Sequence, residues 1–316
     1  MATDNNRLTE QATGVYIIAA TPFSDDGEVD FHSIDSLTDF YLEQGVTGFT
    51  ILGMMGEAPK LSEAETTQVM QRILKRVAGR APVVVGVSHS SNRHVERLSK
   101  EAMDLGAAGV MIAPVSNLKT DEQVHGYYAG AIKGLGRGIP VCLQDFPQAT
   151  GVHTSVPVIH RLVDEFEQVV MLKHEDFPGM RKLSQIRQAS DEGRHRRISI
   201  LVGNGGLFLP QEMLRGADGA MTGFAYPEML VRVCALFDQG KPEQAEDLFN
   251  VYLPLLRHEF QYGIGLALRK ETLRRRGAIR SAYVRRPGPV LDRTDLDELT
   301  RLTTRQEAAL ARFEAK

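Results

Sequence analysis

The chain has 316 residues, 42% of them hydrophobic and 24% charged, which gives it apolar material for a sizeable core and excludes a disordered or fibrous protein. Its 37 Lys and Arg against 40 Asp and Glu leave a formal charge of −3, with no excess of cations for a nucleic-acid backbone or an anionic lipid surface. Met1–Glu10 is polar and no apolar run approaches the roughly 20 residues that span a bilayer, so the expectation is a cytoplasmic protein with neither nucleic-acid nor membrane partner.

In chain order, the first short apolar run bounded by turn residues is Val15–Thr21. An amphipathic stretch follows at His32–Glu43, with Ile34, Leu37, Phe40 and Tyr41 on one face. Gly48–Gly53 is the second strand candidate, and Glu63–Val77, with Val69, Ile73 and Val77 aligned, is the second helix. Further strand candidates are Pro82–Ser88, Gly109–Pro114, Ile139–Phe146, Val169–Glu175, Ile198–Asn204 and Gly219–Phe224. Their spacing, about 20–35 residues, is the length of a βα unit. Runs such as Val83-Val84-Val85 suit a parallel sheet covered on both faces. After Phe224 only helical patterns remain, at Pro227–Gln239, Pro242–Gly263, Leu266–Arg276 and Asp295–Ala315.

Eight such units predict an α/β fold: a (β/α)₈ TIM barrel over residues 1–225 with a C-terminal helical extension over 226–316 packed on it. A doubly wound open sheet would carry a GxGxxG turn after its first strand, and this chain has Thr21-Pro22-Phe23 there. Gly203-Asn204-Gly205-Gly206 follows the seventh strand with the wrong spacing for that motif. Cys142 and Cys234 form no CxxC pair and read as buried small hydrophobes, and the histidines show no metal-ligand spacing, so no metal is expected.

Barrels of this kind carry their chemistry at the C-terminal ends of the strands. The sixth strand there has Lys173 inside an apolar run, which is expensive unless the ammonium is paired or partly neutral. Period 2 puts Lys173 and Glu175 on one face and turns His174 toward the helices. A lysine facing the barrel mouth beside a carboxylate suggests a nucleophilic amine that forms a Schiff base with a ketone. From this strand alone a buried Lys–Glu ion pair that fills the barrel fits equally well.

Thr21-Pro22-Phe23 with Gly27 to Asp30, the loop Gly53-Met54-Met55-Gly56-Glu57 with Leu61-Ser62, Pro147 with Thr150-Gly151, and Lys173 on strand six together resemble the dihydrodipicolinate synthase/N-acetylneuraminate lyase family. The resemblance covers nearly the whole chain, the helical extension included. It implies an imine between Lys173 and a 2-oxo acid, with backbone N–H groups of Gly53, Met54 and Met55 at the acid's carboxylate. It implies no further cofactor, a small-molecule substrate, and a homo-oligomer, tetramer or dimer. Glu57, at the family's Gly-Glu position, reads as a loop-orienting group.

Several positions depart from the family pattern. Met54 and Met55 replace the Thr-Thr that supplies a relay hydroxyl, Gln144 replaces the proton-shuttling tyrosine, and Ala149 stands where the synthases have an arginine. These changes argue against a lysine-biosynthesis synthase. A second branch, the 2-keto-3-deoxy sugar acid dehydratases such as L-2-keto-3-deoxyarabonate dehydratase, resembles this chain in Gln144-Asp145-Phe146-Pro147, Lys173-His174-Glu175 and Ala220-Met221-Thr222-Gly223 with Tyr226-Pro227. His89 matches that branch too, whereas the Gly53 loop does not. The expectation is therefore a hydro-lyase with Lys173, Glu175 and Gln144 catalytic, and with Gly53, Met54, Met55, His89, Gly205, Thr222 and Gly223 binding substrate. Retro-aldol cleavage of a pyruvate-derived acid is the alternative within enzymes, and a 2-oxo acid sensor the alternative outside them. His89 also reads as a capping or solvent-facing loop residue, and Thr222 with Gly223 as small-residue packing.

Overall fold

A computed structural model describes residues 6–315, so Met1–Asn5, half of the polar N-terminal stretch, lie outside the described residues. Eight parallel strands close in sequential order into one barrel: β1 (Gly14–Ile18), β2 (Gly48–Ile51), β3 (Val83–Gly86), β4 (Gly109–Ile112), β5 (Val141–Asp145), β6 (Val169–His174), β7 (Ser199–Val202) and β8 (Gly219–Ala220). The sequence places all eight. It overruns several at their C-terminal ends, because the apolar runs continue past the ladder into the barrel mouth.

Between the strands run α1 (Phe31–Glu43), α2 (Glu63–Val77), α3 (Asn92–Asp104), α4 (Asp121–Gly134), the short α5 (Pro147–Thr150), α6 (Val156–Glu165), α7 (Met180–Asp191) and α8 (Leu209–Leu214). Their starts are written locally. Ser62 and Glu65 form a reciprocal capping box on α2, Thr120 and Gln123 do so on α4, and Asp30 accepts from Ser33 N at α1. α9 (Pro227–Asp238) packs on β1 and β8 and so supplies the eighth unit's helix. The division at 225/226 read from the sequence thus falls between β8 and its own helix. Beyond it come α10 (Pro242–Glu259), α11 (Gly265–Arg275) and α12 (Arg293–Glu314).

Alternation along the strands splits the core in two. Val15, Ile17, Phe49, Val85, Ile112 and Leu143 pack outward against the helices. Tyr16, Ile18, Val84, Met111, Cys142, Met171, Leu201 and Met221 fill the inside, with Leu8 bonded to Ala108 O at the foot. The barrel is therefore solid below the level of Lys173, and chemistry is possible only at its mouth. No helix of the described residues is long and apolar enough to cross a membrane.

Candidate active site

Parallel register brings the central groups together: β5 and β6 pair Gln144 with Lys173 and Asp145 with His174. Gln144 and Lys173 point into the barrel, and Glu175, two residues on, joins them. Lys173 Nζ lies 2.9 Å from Glu175 Oε1, and Gln144 Nε2 donates to the same oxygen at 2.8 Å. Both charged side chains are 7% exposed. Removing such ions from water costs several kcal/mol each, roughly, so each needs its partner. Tyr128 Oη donates to Gln144 O at 2.9 Å and holds β5 from the helix side.

The opposite face of the same two strands carries a second buried set. His174 Nε2 donates to Gly179 O at 3.0 Å, and its Nδ1 faces Asp145 Oδ2 at 3.5 Å. Lys182 Nζ bonds Asp145 Oδ2 at 2.6 Å and Asp176 Oδ2 at 3.2 Å. Burial alone would push the Asp145 carboxyl up, but His174 and Lys182 hold it below the usual carboxylate range. His174 thus faces the helices as its strand parity requires.

Other expected site residues are distributed around this centre. A cavity of about 630 Å³ opens beside it, with Gly53, Met54, Met111, His89, Ala149 and Gln144 among its walls. Met54–Gly56 forms a 3₁₀ turn, and the first N–H groups of such a turn have no partner within it. Met54 is exposed on the cavity, while Met55 packs on the inner barrel cluster. His89 is exposed; its ring stacks on His94 at 4.2 Å, and Nδ1 accepts from Ser91 N at 2.9 Å. It therefore caps its loop and also lines the cavity.

Two of the expected glycines sit in packed surroundings. Gly205, with φ of +69°, is packed against Phe260, the residue that caps the C-terminus of α10. At Gly223, a Cβ would collide with the Arg269 guanidinium, which packs against this position. Thr222 lies two residues beyond β8, its carbonyl accepting from Ile18 N at 2.9 Å. Neither Gly205 nor Thr222 is bonded to the Lys173 group.

Four further residues shape the surroundings of the site. Gly203 is a glycine because a Cβ would occupy the place of the Glu175 side chain. Asn204 Nδ2 donates to Glu175 O at 3.1 Å. Glu212 of α8 is a buried carboxyl that desolvation pushes up to about 7, opposed by His174 and reinforced by Glu175. Lys270 of α11, fully buried, bonds Glu57 Oε1 at 2.5 Å. Glu212 follows Leu209 by three on the buried face of its helix, the one hint available in the sequence.

The model of the dihydrodipicolinate synthetase family matches residues 11–306. The chain belongs to that family. Its members are lyases, and the barrel mouth described above is where such a protein works. L-2-keto-3-deoxyarabonate dehydratase of Azospirillum brasilense is 29% identical over 309 residues, covering 96% of this chain and 98% of that protein. The 4-hydroxy-tetrahydrodipicolinate synthase of Methanococcus maripaludis strain C7 is 28% identical over 250 residues, 78% of this chain and 83% of that one. Among solved structures, a dihydrodipicolinate synthase from Rhodopseudomonas palustris superposes with a TM-score of 0.92 at 47% identity, over 95% of this chain and 99% of that one.

Proposed function

We propose that this lyase forms an imine between Lys173 and a 2-oxo acid and dehydrates a 2-keto-3-deoxy sugar acid. The observation that carries the reading is the convergence of Lys173 Nζ and Gln144 Nε2 on Glu175 Oε1, at 2.9 and 2.8 Å, beside an open cavity. Retro-aldol cleavage needs a base for the C4 hydroxyl, the task of a tyrosine relay; Gln144 is an amide and cannot relay a proton. Dehydration needs only a C3 proton removed and the C4 hydroxyl expelled, and one carboxylate serves both steps. The resemblance to the Azospirillum dehydratase along nearly its full length supports the same choice.

In this mechanism the Lys173 amine adds to the C2 ketone and water leaves, giving a protonated imine that acts as electron sink. Glu175 takes the C3 proton to form the enamine. The enamine electrons then expel the C4 hydroxyl, which leaves as water with that same proton. Loss of a C5 proton and protonation at C3 turn the unsaturated imine into the enol of a C5 aldehyde; hydrolysis then frees Lys173 and the enol tautomerises, so one water is lost overall. The substrate carboxylate sits on the N–H groups of Met54 and Met55, and Gln144 keeps Glu175 oriented toward C3.

The test is adduct trapping. Pyruvate and borohydride add the mass of a reduced pyruvate adduct to the peptide containing Lys173, and Lys173→Ala abolishes the gain. No adduct in the parent, or an undiminished one in the variant, overturns the Schiff-base step. A synthase or aldolase reading is favoured by the 47% identity to the Rhodopseudomonas protein. Product analysis separates them: 2-keto-3-deoxy acids yield a 2-oxoglutarate semialdehyde-type product by dehydration, and pyruvate plus an aldehyde by cleavage. Gln144→Tyr is expected to move the products toward cleavage, and an unchanged ratio removes position 144 as the switch.

A further inference from the structure

α11 carries two adjacent cations, Arg269 and Lys270, that are both buried. Each meets a buried carboxylate tied to a different loop of the barrel mouth. Arg269 Nε bonds Glu259 Oε1 at 2.5 Å, and Glu259 Oε2 accepts from Ala225 N at 3.2 Å, just beyond β8. Lys270 Nζ bonds Glu57 Oε1 at 2.5 Å, at the end of the Met54–Gly56 turn.

Glu57 is held tightly. Its backbone has φ of +54°, a left-handed conformation that an L side chain adopts only when its surroundings impose it. Lys60 Nζ at 2.8 Å and Arg285 N at 3.0 Å bond its other oxygen. Lys270 in turn donates to Tyr283 O at 2.9 Å and lies 4.6 Å from the Phe23 ring centre. Apolar side chains in place of a buried ion pair are commonly neutral or stabilising, so bulk stability does not account for this pair. What it supplies is direction: a charged hydrogen bond fixes the turn where packing alone would leave it free to shift.

We propose that Lys270 is a positioning residue of the imine site: through Glu57 it holds the Met54–Gly56 turn in the orientation that receives the carboxylate of the 2-oxo acid at Lys173. This rests on the functional reading above and extends the site to the C-terminal helices. A lost turn orientation weakens substrate capture and leaves the lysine able to react once substrate is bound.

The experiment is borohydride trapping of the parent and of Lys270→Met across a range of pyruvate concentrations. Half-saturating pyruvate is expected to rise at least tenfold, with the adduct yield at saturation within twofold of the parent. Arg187→Met breaks another buried pair, Arg187 with Asp218 at 2.7 Å beneath the barrel, and is expected to lower thermal stability without moving half-saturation. If Lys270→Met does not fold, Glu57→Gln, which keeps size and one acceptor oxygen, is expected to raise half-saturation three- to tenfold. An unchanged half-saturation in the folded variant, a loss of yield at all concentrations, or an equal shift in Arg187→Met overturns the proposal. A parent without adduct overturns the Schiff-base reading and this inference with it, whereas a normal parent with an unshifted variant overturns this inference alone.

Discussion

Glu175 is shaped by its neighbours as much as by its own chemistry. Gly203 gives it room, Asn204 holds its carbonyl, and Gln144 and Lys173 bond one carboxylate oxygen. Gly203 has φ of −109° and ψ of −130°, outside the regions ordinarily open to an L side chain, and a Cβ there would also meet the Glu175 side chain. Gly203→Ala is therefore expected to lower stability and to push Glu175 out of its contact with Lys173. A displacement of 1 Å in a catalytic group costs on the order of a hundredfold in rate. Turnover measured beside a thermal melt checks this: a normal rate in the folded variant shows that the Glu175 position is not required.

At the scale of elements, β5 and β6 act as one device with two faces. Residues 144, 173 and 175 work inside; Asp145, His174 and Lys182 lock the strands and the following loop from outside. Lys182→Met leaves Asp145 buried without its cation, and losing one partner of a buried pair costs about 3 kcal/mol or more. Asp145 is held below the usual carboxylate range, so its contribution is present at neutral pH and lost as pH falls through its folded value. Urea unfolding should show the full deficit at pH 7 and a smaller one in acid; a pH-independent deficit would place the loss in packing instead. The strands themselves were legible because apolar runs and their spacing are local signals, and Lys173 stood out as a charge among them. The outer set was not, since Lys182 reaches Asp145 across 37 residues and Lys270 reaches Glu57 across 213, distances over which no periodicity speaks. The 3₁₀ turn at Met54 and the four-residue α5 were too short to carry a period at all.

For the whole molecule, the near-neutral charge means that stability against pH is decided by single buried groups and not by global repulsion. Glu212 is the clearest of them, 6% exposed and raised to about 7 by desolvation. A carboxyl whose folded value lies above its unfolded one binds more protons when native. Its contribution is full below the unfolded value and disappears as pH rises through about 7. The shift corresponds to a span on the order of 3 kcal/mol between acid and alkaline ends of that window. Glu212→Gln removes the ionisation and keeps the shape. It should flatten unfolding free energy across pH 4.5–7, matching the parent at the acid end and exceeding it at pH 8. Denaturant titrations of parent and variant at three pH values read this directly. Parallel curves would mean that Glu212 ionises in the native state as easily as in the unfolded one, and that α8 admits water to its carboxyl.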